Sequence, residues 1–173
     1  MNLNNLVKAA IFTSTAVGLG FIFMLIPNVE FISITVFLSG LTLGPLLGLL
    51  VGATSMLIYS TFNPLGSGLI FLPLLLSQIA AMAVIGFIGA LFRKLFFNIN
   101  LSTLAVISGI IGSFCAIWYD GLTTMAYPIS AGYDFNEIVA YGISGLIFTI
   151  MHIFANGLIF FIAIPIFIKR IKK

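Results

Sequence analysis

The stretch GIIGSFCAIWYDGLTTMAY, residues 109–127, decides how this chain is read. It lies in an apolar run long enough to cross a bilayer, yet it carries Asp120 beside Trp118 and Tyr119. A carboxylate at the centre of a spanning helix costs about 2.5–3.5 kcal/mol, and less near an interface. It persists where it faces protein or a watery cavity, which makes Asp120 a candidate binding residue. On a helix, Gly109, Gly112, Ala116, Asp120, Thr123 and Tyr127 recur at spacings of three or four and share one face. The first part of that face is small, which suits close helix packing, and the second part is polar. The competing reading is an interfacial Asp among the aromatic residues that collect at membrane surfaces.

Composition sets the class. Of 173 residues, 61% are hydrophobic and 6% charged, where a soluble domain carries about 25% charged residues. The expectation is an all-α integral membrane protein, one domain over residues 1–173. At about 20 apolar residues per span the length accommodates about six transmembrane helices. No GxxxxGK[ST] loop is present to cradle a nucleotide phosphate. The one cysteine, Cys115, implies neither a disulfide nor a thiolate metal site. No small-x-small cleavage site follows the first apolar run, so that run reads as a retained helix.

The first predicted helix covers residues 6–26 and stops at Pro27-Asn28. Ala9 and Thr13, with the neighbouring pair Ala10 and Ser14, put small residues four apart, where another helix can approach closely. A second apolar stretch, residues 31–43, is too short to span straight across and is expected to break at Gly44-Pro45. The third helix, residues 45–62, carries the stripe Gly44, Gly48, Gly52, Ser55, Tyr59 and Asn63, small at one end and polar at the other. The fourth, residues 69–92, holds Pro73 as an expected kink, Gln78, and a packing face of Ala83, Gly86 and Ala90. The fifth covers residues 101–125, followed by a polar loop at 127–137. The sixth covers residues 138–168 and ends in the basic run Lys169 to Lys173.

With alternating spans, Lys8, Arg93-Lys94 and the basic tail fall on one side, which places both termini in the cytoplasm. Asn28, Glu30, Asn63, Asp120, Asp134 and Glu137 fall toward the other. A cavity open on that acidic side is expected between the third and fifth helices, lined by Tyr59, Asn63, Gln78, Trp118, Tyr119, Asp120, Thr123 and Tyr127. His152 and Asn156, four apart in the sixth helix, share a face, toward either the ligand or a neighbouring helix. The GxSG around Ser144 resembles an intramembrane protease serine. Ser144 and His152 are separated by a rise of about 12 Å, however, so they cannot form a catalytic pair. With no plausible catalytic set and no metal-ligand spacing, neither an enzyme nor a cofactor is expected.

Several features together resemble the substrate-binding S components of prokaryotic energy-coupling factor (ECF) vitamin transporters. They are the small-residue first helix, Pro27-Asn28-Val29-Glu30, residues 41–50, Asn63-Pro64-Leu65-Gly66 and Tyr119-Asp120-Gly121-Leu122-Thr123. The resemblance covers essentially the whole chain. It implies a vitamin or vitamin precursor captured at the outer half, under the loops after the first, third and fifth helices. The loop after the first helix contains Asn28 and Glu30. It further implies a plasma-membrane location, docking through the first helix on a transmembrane coupling (T) protein, and transport driven by two cytosolic ATPases. The family's AxxxA docking motif corresponds here to Ala9-xxx-Thr13 and Ala10-xxx-Ser14. A substrate with phosphate or several carboxylates would meet no Lys or Arg on the acidic side, so a neutral or cationic flat heterocycle is expected. The alternative is a stand-alone channel or facilitator, which a polar lining through the inner half would favour.

Overall fold

Glycines where helices cross set the architecture of the computed structural model, which describes residues 3–172. In chain order the helices are α1 (Leu3–Phe23), α2 (Ile32–Leu43), α3 (Pro45–Thr61), a single 3-10 turn (Gly68–Ile70), α4 (Leu72–Leu91), α5 (Arg93–Asn98), α6 (Leu101–Ser130), α7 (Phe135–Ser144) and α8 (Leu146–Ile171). No strand occurs among the described residues. Four helical stretches are long and apolar enough to cross a membrane: Leu3–Phe23, Leu72–Asn98, Leu101–Ser130 and Leu146–Ile171. The protein is a helical one built for a bilayer. Lys173, the last residue of the basic tail, lies outside the described residues.

Between those long helices sit α2 and α3, of 12 and 17 residues. At 1.5 Å per residue α2 reaches about 18 Å, well short of the hydrocarbon thickness. Nine of its residues are buried, Ile32 to Phe37 and Ser39 to Leu41, so α2 is the centre of the bundle rather than a lipid-facing span. Its neighbours come close because they lack side chains. A Cβ on Gly48 would lie 2.5 Å from both the Gly40 Cα and the Gly86 carbonyl oxygen. Gly52 meets the backbone of Met82, and Gly89 that of Phe37. The chain reverses from α2 to α3 at Gly44, whose φ of +93° a side chain would strain.

The small face of α6 does the same work against α8. A Cβ on Gly112 would meet Phe160 at 2.6 Å and the Asn156 carbonyl at 2.7 Å. Phe37, Phe96 and Phe160 are fully buried. Phe37 bridges the other two at ring-centroid distances of 5.9 and 5.3 Å. In contrast, α1 buries only Ala16 and Gly20.

Three sequence expectations change. Pro73 sits in the first turn of α4, where its missing N–H costs nothing, so it starts the helix instead of kinking it. The expected loop at 127–137 shrinks, because α6 runs through Pro128 to Ser130. Asp134 and Glu137 then form a capping box that opens α7. The expected sixth helix divides at Gly145 into α7 and α8, since an unbroken apolar composition does not reveal a change of direction.

Candidate functional site

A cavity of about 270 Å³ opens at the end of the bundle opposite Lys8 and Arg93. Its walls come from α1, the connection that follows it, and from α2, α3, α4, α6 and α8. The apolar share includes Phe23, Met24, Ile26, Pro27, Ile32, Met56 and Met82, and the polar share Asn28, Glu30, Tyr59, Tyr119, Asp120 and His152. Mostly apolar walls with a few convergent polar groups are the usual make-up of a small-molecule site.

The polar groups are joined. His152 Nδ1–H donates to Asp120 Oδ1 at 2.9 Å, because the carboxylate can only accept. The Asn156 amide donates to His152 Nε2 at 2.8 Å and to Glu30 Oε1 at 3.2 Å. The other Glu30 oxygen accepts from the Ser33 N–H at 2.9 Å, which caps the first turn of α2. Burial pushes the Glu30 carboxyl up, but the contacts with His152 and Ser33 outweigh it and hold the group below its ordinary value. Tyr119 stands edge-on to His152, with ring centroids 6.2 Å apart.

Two polar atoms of the lining have no partner within the protein. Asp120 Oδ2 and Asn28 Nδ2 are both buried and unbonded. A buried polar group left unpaired costs about 1–3 kcal/mol, which a ligand offering one donor and one acceptor would recover. Asn28 also holds a φ of +60°, a backbone state that Asn tolerates better than most side chains.

The sequence candidates divide. Asn28, Glu30, Tyr59, Tyr119, Asp120 and His152 come together around the cavity. Asn156 lies directly behind it, 1% exposed. The remaining candidates do not line the cavity, although Asn63 contacts Tyr59 and Gln78 contacts Tyr119. Trp118 turns its indole N–H to the Ala81 carbonyl at 3.3 Å. Asn63 accepts from the Leu65 N–H within its own turn. Gln78 bonds Ser60, and with Thr123 it borders a separate open pocket beside Tyr141 and Ser144. Tyr127 stacks on Tyr141 at 5.7 Å. Met24, Met56 and Met82 were not anticipated, because isolated methionines in apolar helices carry no signal of which way they face. No group of three or more metal-ligating side chains occurs among the described residues. Comparison with protein-family models, curated proteins and solved structures finds no match.

Proposed function

We propose that this chain is the substrate-capturing membrane subunit of an ECF-type importer, which binds a neutral or cationic vitamin-like heterocycle from outside the cell. The observation that carries this reading is the cavity itself. It is open at the acidic end, it holds two unpartnered polar atoms, and it stops at packed helix crossings. Below it, α2, α3 and α4 meet glycine to glycine. That dry floor supports capture over free permeation.

The electrostatics select the ligand. Glu30 and Asp120 surround a single imidazole, so acidic groups outnumber the one basic group in the cluster. Both His152 ring nitrogens are already engaged, which leaves no cation free for a phosphate. A flat, donor-bearing ring could rest against Tyr59 or Tyr119 and give its hydrogen bond to Asp120 Oδ2. The basic end of the bundle is then cytoplasmic by the positive-inside rule, with both termini there, and the short helices α2 and α3 complete a six-segment topology. The deciding experiment is to purify the chain from its cells and identify the co-purifying small molecule by mass spectrometry. A neutral or cationic heterocycle is expected, and a polyanion would refute the charge argument.

The exposure of α1 supports docking through that helix. Ala10 and Ser14 lie on its outward face, while Ala9 and Thr13 are half-buried toward the bundle. The outward pair suits close approach by a helix of the coupling protein, which works with two ATPases. Ala10→Leu or Ser14→Leu is expected to abolish co-purification with that partner and to leave ligand affinity unchanged. Equal loss of ligand binding would show that this face belongs to the chain's own packing.

A further inference from the structure

The opposite end of the bundle carries a second recess that the capture reading does not use. It is a groove of about 380 Å³ between α1, the end of α2, α5 and α8, lined by Asn5, Lys8, Phe12, Leu41, Thr42, Leu43, Arg93, Phe97, Phe167 and Ile171. Its mouth holds two cations and its walls are aromatic and aliphatic. No Asp or Glu side chain among the described residues lines it. Glu30 and Asp120 line the cavity at the far end, and Asp134 and Glu137 cap α7. The ion pairs among the described residues all involve His152, so Lys8 and Arg93 are unpaired although both border one recess.

Unpaired cations at the basic end of a membrane bundle ordinarily extend into water. Here they flank a slot whose walls are mostly apolar. Phe12, Phe97 and Phe167 offer a surface for an acyl chain, and the mouth offers Lys8, Arg93 and the Asn5 amide for an anion. Basic pockets between helices at this level of a membrane suit anionic lipid headgroups. A soluble anion would use the cations and leave the apolar walls wet. A partner helix would need acidic residues placed over both cations. A phospholipid satisfies the charge and the walls together, and the bilayer supplies it.

We infer that the groove bordered by Lys8 and Arg93 holds one anionic phospholipid, with its phosphate between the two cations and an acyl chain along Phe12, Phe97 and Phe167. The lipid fills the gap between α1 and the rest of the bundle at the end where α1 is least packed. The inference needs the protein to be membrane-embedded and is independent of what the ligand cavity holds.

The test is native mass spectrometry of the full chain in detergent, titrated with phosphatidylglycerol or with phosphatidylcholine of matched acyl chains. One phosphatidylglycerol per chain is expected, preferred over phosphatidylcholine by at least about tenfold, as two nearby cations would give. The Lys8→Gln/Arg93→Gln variant should lose that preference. Lys169→Gln/Arg170→Gln removes the same charge from the tail and should keep it. Lys8→Glu, a change at an exposed and unpaired residue, should weaken the lipid further without altering the melting midpoint. Excess inorganic phosphate should not displace the lipid. Equal binding of the two lipids, equal loss in the tail variant, or full displacement by inorganic phosphate would each overturn the proposal.

Discussion

Asp120→Asn is expected to weaken binding of the co-purified ligand by about ten- to a hundredfold, the scale of a hydrogen bond to a charged group, about 1.5–3 kcal/mol. The substitution is well suited to the question because an amide oxygen can still accept from His152 Nδ1–H. It removes charge and leaves the 2.9 Å contact in place. His152→Gln should cost a comparable amount through a different route, by releasing Asp120 and Glu30 from the group that holds them. Thr123→Ala serves as the control, since that residue borders the other pocket. Isothermal titration is the suitable readout, because the only tryptophan points away to Ala81. If Asp120→Asn bound normally while Thr123→Ala did not, the site would have to be moved to the pocket beside Tyr141.

The second large effect concerns stability. Gly86→Ala places a methyl group against the Gly48 carbonyl, 2.5 Å from its carbon. Those atoms belong to the α3 backbone and cannot rotate away. Overpacking of this kind costs about 1–3 kcal/mol, occasionally more. For a chain of this size that is a fall of about 2–12 °C in the thermal midpoint. Gly18→Ala is the counterpart on α1, where nothing lies within 4 Å of the new methyl. It should be neutral or slightly stabilising, because alanine is favoured over glycine inside a helix by about 1 kcal/mol. The order of the two midpoints, measured in one detergent, checks the crossing. A Gly86→Ala protein as stable as Gly18→Ala would mean that α3 and α4 are not in backbone contact.

Much of this was legible in the sequence because it is local. The boundaries of α2 and α3 follow from Gly44-Pro45, and the small faces of α3 and α6 are visible as four-residue spacings. Asp120 was legible as a charge in an apolar run. Its partners were not. Glu30 and Asn156 meet across 126 positions, and no periodicity within one helix reports such a contact. The same limit explains Trp118. At about 100° per residue, two positions before Asp120 is about 200° around α6, so the indole faces α4 when the carboxylate faces α8. Chain proximity suggested a shared site, and helix geometry separates the two. Asp134 and Glu137 carried a local signal, the D-x-x-E of a capping box, and composition alone disguised it as loop acidity.

Glu30 sits on the connection that leaves α1, and it reaches across to the Asn156 amide on α8. One wall of the cavity is thereby carried by the least buried of the four long apolar helices, since α1 buries only Ala16 and Gly20. A body that grips the outer face of α1 and favours one setting of that helix must change ligand affinity. By thermodynamic reciprocity the ligand must change the grip on α1 by the same factor. Loaded and empty chains would then present different handles to whatever takes hold of them, and occupancy could be sensed from the outside of the bundle without touching the ligand.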